Sequence, residues 1–254
     1  GRCLRIAINN GFCFAGNAAL FGSADIRIAT KNSWIGMAGP AMIEGGGLGK
    51  FDPKEIGPSD IQKNNGVIDY VAEDEKEATI IAKKILSYFQ GDIKDWKADD
   101  QTQLSNIMPK DRRWSYPVRD IIKIISDIEE FTEIKPEYGK GIVTCFIRIE
   151  GKPFGLLAND SQHLGGAIDS EGADKASSFI EMCSEYGLPL ISLVDTPGFM
   201  VGPDSEKEGA VKRMSNLFKI GSKVKVPLTA IFLRKGYGLG AQAMVGGSLH
   251  EQVY

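Results

Sequence analysis

The chain of 254 residues is 43% hydrophobic and 25% charged, the make-up of a folded protein large enough to hold its core without disulfides or metal, which excludes peptide, knottin, zinc-finger and disordered classes. A net charge of -3 gives no broad positive field for a phosphate backbone, so nucleic acid is not an expected partner. No apolar run approaches the ~20 residues that span a bilayer, the start is not a signal peptide, and Cys3, Cys13, Cys145 and Cys183 form no C-x-x-C pair, so the reading is no membrane, no metal, reduced thiols and the cytoplasm.

In chain order, Leu4 to Ile8 reads as a strand, Asn9 to Gly16 as a loop, Asn17 to Phe21 as a short helix and Asp25 to Ala29 as a strand. Residues 36–49 are too rich in glycine for anything but loop. From 73 to 90 the set Ala78, Ile81, Ala82, Ile85, Tyr88 and Phe89 keeps helical spacing, with Asp74 and Glu77 as a capping box and Gly91 as the stop. Residues 91–118 lose apolar periodicity and read as a connection, giving domains of 1–110 and 111–254. A short helix near Ile121 to Phe131 precedes two strands, 142–149 and 154–158, turning at Glu150-Gly151-Lys152. Helix (172–186, closed by Gly187), strand (189–194), helix (205–221, capped by Ser205 and Glu208) and strand (227–233) then alternate, the pattern of a buried, largely parallel sheet and an α/β fold.

Thirty glycines, about 12% against roughly 7% on average, ask for exposed backbone. Two glycine turns echo each other: Asn10-Gly-Phe-Cys-Phe-Ala-Gly-Asn-Ala-Ala and Lys235-Gly-Tyr-Gly-Leu-Gly-Ala-Gln-Ala-Met follow apolar strands and open small-residue helices, with Gly11 and Gly236 225 residues apart. Strict identity covers two of the ten columns, so the echo is one of size and polarity. It implies a duplicated domain, the chain beginning late in one copy and stopping inside the other. Such turns present backbone N–H groups that stabilise a phosphate or an oxyanion. Asp195-Thr-Pro-Gly198 without a phosphate-cradling G-x-x-x-x-G-K-[ST] reads as a strand-to-loop turn, not a nucleotide switch. His163 and His250, with no G-x-S-x-G, leave a serine or cysteine hydrolase little to work with. Neither histidine is assigned a proton-transfer role.

The run from Asn159 through Gly165-Gly166-Ala167 to Asp169, then Asp174-Lys175-Ala176, Pro189 to Gly202, and Arg234 to Ala241 resembles the second domain of biotin-dependent acyl-CoA carboxyltransferases, the carboxyltransferase components of acetyl-CoA and propionyl-CoA carboxylases. Gly11 to Gly16 and Asn64 to Glu75 are similar to stretches of the first domain. The resemblance implies two tandem crotonase-like domains, both incomplete here, with the acyl-CoA on the first, biotin on the second and the active site between opposing domains of a dimer. It implies carboxyl transfer from carboxybiotin to the acyl α-carbon, or the reverse flow of a decarboxylase subunit; a single-domain enoyl-CoA hydratase or isomerase would have one glycine loop. Biotin rides on a separate carrier, so a biotin carboxyl carrier, a biotin carboxylase and further copies of the chain are the implied partners. Carried over by residue, the first oxyanion hole falls on Ala15 and Gly16 and the second on Gly240 and Ala241, or on Leu239 and Gly240, with a further backbone donor from Gly165, Gly166 or Ala167. Ala15 stands where a glycine is often found, and Leu239 interrupts a Gly-Gly.

Overall fold

The computed structural model describes residues 3–111 and 113–248. Two compact units divide at Leu86/Ser87, inside a helix and upstream of the 110/111 boundary expected from composition. The reason lies in Arg148, a fully buried arginine whose guanidinium donates to the carbonyls of Ser87 (2.8 Å), Gly91 (2.9 Å) and Gly151 (2.8 Å). Tyr88, also buried, stacks on Phe146 at 5.6 Å. These bonds draw 87–91 into the second unit.

In the first unit, β1 (Ile6–Phe14), α1 (Gly16–Gly22), β2 (Ile26–Gly36), α2 (Pro40–Gly45), α3 (Ser59–Gln62) and β3 (Tyr70–Ala72) lead into α4 (Glu75–Tyr88). The strands form a parallel sheet in the order β1-β2-β3. The expected loop at 9–16 is strand as far as Phe14. A register shift between Asn9 and Gly11, with Gly11 at φ 90°, absorbs the irregularity and lets pairing resume. Cys13 thereby enters the core with Ala18, Phe21, Ala29, Ile35 and Ile68. Within the glycine-rich stretch, Pro40 starts the short α2, proline's preferred place in a helix. Asp74 caps α4 by accepting the Glu77 N–H at 2.8 Å; the Glu77 carboxylate takes the N–H of Glu73 instead of that of the cap.

The second unit adds α5 (Leu104–Ile107), α6 (Val118–Ile125), β4 (Phe131–Ile134), β5 (Ile142–Ile149), β6 (Lys152–Asn159), α7 (Ser170–Glu185), β7 (Leu190–Thr196), α8 (Pro203–Lys207), α9 (Ala210–Gly221), β8 (Leu228–Gly236) and α10 (Gly238–Met244). Among the described residues its sheet runs β4-β5-β6-β7-β8. It is mixed rather than largely parallel: β4, β5 and β6 pair antiparallel, β6, β7 and β8 parallel. Glu150 (φ 51°) and Gly151 (φ 77°) form the two-residue turn of the β5–β6 hairpin, both left-handed as its twist requires. One sheet face packs Val143, Cys145, Ile147, Leu156, Ala158, Ile191 and Leu193 against Tyr116 and the apolar side of α6, and α7 packs on β5 and β6.

Gly187 (φ 78°) ends α7, with the Leu188 N–H returning to the Cys183 carbonyl at 2.9 Å. The single helix expected over 205–221 is two, because Gly209 at φ 74° breaks it and becomes the N-cap of α9. Ser205 correspondingly bonds the Met200 carbonyl and caps nothing. The cysteines are unpaired; Cys13, Cys145 and Cys183 are buried and Cys3 is exposed. No helix among the described residues is long and apolar enough to cross a membrane.

Candidate functional site

Both glycine turns sit where a strand ends and a short helix begins. In the first unit Ala15 turns the chain with φ 52° and ψ -121°, a conformation that glycine adopts freely and that strains an alanine by roughly 1–3 kcal/mol. In the second, Gly238 turns it with φ 61°. These positive-φ residues give a structural repeat of 223 (238 minus 15), two fewer than the sequence echo. The backbone bonds shift it by one more residue: Ala15 and Tyr237 each donate to a neighbouring strand and each accept the first bond of the helix that follows, so Gly16 matches Gly238 and Asn17 matches Leu239.

Which N–H groups are available follows from their bonds. The Ala15 N–H donates to the Gly36 carbonyl at 3.1 Å, and the first α1 bond runs from the Ala19 N–H to Ala15. Gly16 and Asn17 therefore have unclaimed N–H groups, and both residues are exposed. In the second turn the Tyr237 N–H goes to the Thr196 carbonyl at 3.1 Å and the Ala241 N–H to Tyr237 at 3.4 Å. That leaves Gly238, Leu239 and Gly240. The first two are exposed, whereas Gly240 and Ala241 are buried. Ala15 and Ala241, expected as donors, are thus already bonded, and the unclaimed, exposed pair of the second turn is Gly238–Leu239.

Gly165 and its neighbours form a tight turn, with Leu164, Gly165 and Gly166 all at positive φ (47°, 62° and 88°). The Gly166 N–H donates to His163 (2.9 Å) and that of Ala167 to Leu164 (3.1 Å), so of the expected trio Gly165 alone keeps a free N–H. A side chain at Gly166 would meet the Asp195 carbonyl oxygen at 2.3 Å, which fixes glycine there. Arg119 anchors the same loop from α6, reaching Asp160 at 2.6 Å and Glu133 at 2.7 Å. His163 is half-buried with Nε2 3.7 Å from Asp169, the N-cap of α7; His250 lies outside the described residues. The Asp195-Thr-Pro-Gly turn is structural: Thr196 Oγ1 bridges to Gly198, and Gly198 pairs with Ile168 at 3.0 Å. The loops after β6, β7 and β8 are so tied together at the C-terminal ends of parallel strands, the usual place for ligands in such sheets.

Tyr116, Arg234 and Lys235, which cluster on Asp195, were not marked by spacing. Tyr116 and Asp195 are 79 residues apart, and only the fold brings them together.

Residues 1–254 match the carboxyl transferase domain along their whole length. The chain belongs to that family. This carboxyl transferase chain is 32% identical over 254 residues to the methylmalonyl-CoA carboxyltransferase 12S subunit of Propionibacterium freudenreichii subsp. shermanii, covering 96% of this chain and 48% of that protein. It is 32% identical to the biotin-dependent acetyl-/propionyl-coenzyme A carboxylase beta6 subunit of Mycobacterium tuberculosis, covering 93% and 52%. Among solved structures, a single-chain, multi-domain long-chain acyl-CoA carboxylase superposes with a TM-score of 0.94 at 52% identity, over 97% of this chain and 25% of that one. The transcarboxylase 12S hexamer gives 0.87 at 32%, over 98% and 51%. The chain spans about half the length of the curated relatives it matches. Its α/β units have the crotonase-like fold of these carboxyltransferase domains.

Proposed function

We propose that the chain carries out biotin-dependent carboxyl transfer to the α-carbon of an acyl-CoA. The observation that carries the reading is the pair of strand-end turns with exposed, unclaimed N–H groups: Gly16 and Asn17 in one unit, Gly238 and Leu239 in the other. Carboxybiotin supplies the carboxyl group. The chain supplies donors aimed at oxygens that gain charge: Gly16 and Asn17 would receive the thioester oxygen as the α-carbon gives its proton to the ureido nitrogen that has released the carboxyl group, and Gly238 and Leu239 would receive the ureido oxygen. A cofactor carbonyl fits there, since nothing stands within 4 Å of where a Gly238 side chain would begin. Gly165 adds a further donor beside the second turn. Strain held at Ala15 supports a functional role for that turn.

The M. tuberculosis relative favours acetyl- and propionyl-CoA as acceptors, and the long-chain acyl-CoA carboxylase extends the acceptor class to longer chains. A biotin carboxyl carrier and a biotin carboxylase are the partners this chemistry needs, with the cytoplasm as its setting. Self-association follows from strands at sheet edges that expose Ile8 and Phe12 on β1 and Ile231 and Phe232 on β8. Light scattering on the purified protein is expected to give a dimer or larger species; a well-folded monodisperse monomer would contradict it.

The test is avidin-sensitive, ATP- and bicarbonate-dependent carboxylation of acetyl-, propionyl- and long-chain acyl-CoA by the full-length protein with its carrier and carboxylase. Gly16→Ala sharpens it. Gly16 has an ordinary φ and open space where a Cβ would go, so alanine leaves the melting temperature unchanged or raises it slightly. The methyl group narrows the approach to the N–H pair, and turnover is expected to fall by roughly 10-fold or more. His163→Ala serves as the control with little loss. A stable Gly16→Ala protein with normal turnover would remove the first turn from the mechanism.

A further inference from the structure

Asp195, the residue before the last of β7, is fully enclosed, and the carboxyl transfer does not use it. Its Oδ1 accepts the backbone N–H of Lys235 at 3.0 Å, and its Oδ2 accepts the Tyr116 hydroxyl at 2.7 Å and Nε of Arg234 at 3.3 Å. Arg234 continues to the Trp114 carbonyl at 2.8 Å and lies 4.5 Å from the centre of the Tyr116 ring. Lys235 Nζ donates to the Gly165 carbonyl and stands 3.8 Å from Asp195. Burial and the neighbouring carboxylate push the Tyr116 phenol up, so it remains a proton donor. Enclosing a carboxylate is unfavourable unless its lone pairs are matched, and apolar residues of similar size would pack the same space at no such cost. What the ionic arrangement adds is direction. The bond to the Lys235 N–H fixes the strand three residues before Gly238, while the side chain of the same lysine holds the turn that contains Gly165.

We propose that Asp195 is the positioning residue of the second unit, setting the Gly165 turn and the Gly238–Leu239 turn in one register through Lys235. The inference rests on the carboxyl-transfer reading.

Three variants of the full-length protein test it: Asp195→Asn, which keeps the shape and loses the charge, Tyr116→Phe, which removes one oxygen, and the double variant. Because acyl-CoA is assigned to the first unit, kcat should fall with the acyl-CoA KM unchanged. The expected losses are on the order of 10²-fold for Asp195→Asn and 10-fold for Tyr116→Phe, set against the cost of a missing oxyanion donor. The double variant should lose no more than Asp195→Asn alone, as groups acting as one unit do. Amide exchange should accelerate together at Lys235 and Tyr237 on one turn and at Gly166 and Ala167 on the other. A folded Asp195→Asn protein with normal kcat, a raised acyl-CoA KM at constant kcat, or additive losses would overturn the proposal. If Asp195→Asn does not fold, Tyr116→Phe decides by the same readings. Wild-type protein without avidin-sensitive transfer to any acyl-CoA would instead remove the reaction, and exchange in Tyr116→Phe would then decide the positioning alone: joint acceleration at both turns supports it, and acceleration at one turn overturns it.

Discussion

Gly240→Val is expected to lower turnover by on the order of 10²-fold or more and to destabilise the fold, by overpacking of roughly 1–3 kcal/mol. A Cβ on Gly240 would lie 2.6 Å from the Gly198 carbonyl carbon, 2.7 Å from its Cα and 2.8 Å from the Phe199 nitrogen. All three are backbone atoms, so no rotamer change relieves the contact. Either α10 or the 198–199 turn must move, and α10 carries the N–H groups of Gly238 and Leu239. The glycine at 240 is therefore required by internal packing, while Gly238 is required by its positive φ. Gly240→Ala separates this cause from obstruction of a ligand. Its single methyl already makes the backbone clash and should reproduce most of both losses. Thermal melts and turnover of the two variants check the point: an alanine variant with an unchanged melting temperature and a valine variant that is merely slow would assign the effect to the ligand side.

The strand and helix pattern was legible where periodicity was strong, as in α4, the β5–β6 hairpin and α7. It failed where one residue decides. Gly209 divides an otherwise continuous helical pattern by adopting a left-handed φ, and Gly11 absorbs an irregularity inside a strand that composition marks as loop. The antiparallel β4 was missed because Phe131–Ile134 is too short to establish a period. Glycine turns were visible as donor sites, since strand, glycine and small-residue helix recur. Their register was not, because which N–H is unclaimed depends on the carbonyls of Gly36 and Thr196, supplied by neighbouring strands. Asp195 was visible only as part of a turn. Its partners Tyr116 and Arg234 come from distant segments, and no local spacing announces a buried ionic cluster of that kind.

Lys175 offers a test of the fold that is independent of activity. It lies on α7, 2% exposed, with Nζ donating to the Lys135 carbonyl at 2.6 Å. Burial pulls its pKa down to about 7; Arg119 and Lys135 push the same way, against the opposing pull of Glu133 and Cys145. In the unfolded chain the amine titrates near 10.4. Between these values the unfolded state binds the extra proton, so stability rises with pH across the window from about 7 towards 10; below 7 the full penalty of a buried ammonium is present. From pH 7 to pH 9 the expected gain from this residue is roughly 2 kcal/mol. Lys175→Met keeps the length and removes the titration, so this part of the pH dependence should vanish. It also leaves the Lys135 carbonyl without the lysine's hydrogen bond, at about 1–3 kcal/mol if no other group takes its place. The two stability curves should therefore lie closest near pH 9 and separate towards pH 6, where an ammonium penalty of roughly 4–5 kcal/mol exceeds the lost hydrogen bond and the methionine variant is the more stable. Urea unfolding at pH 6, 7 and 9 measures both curves. Parallel curves would show that Lys175 keeps its proton in the folded state, with the attraction of Glu133 outweighing desolvation.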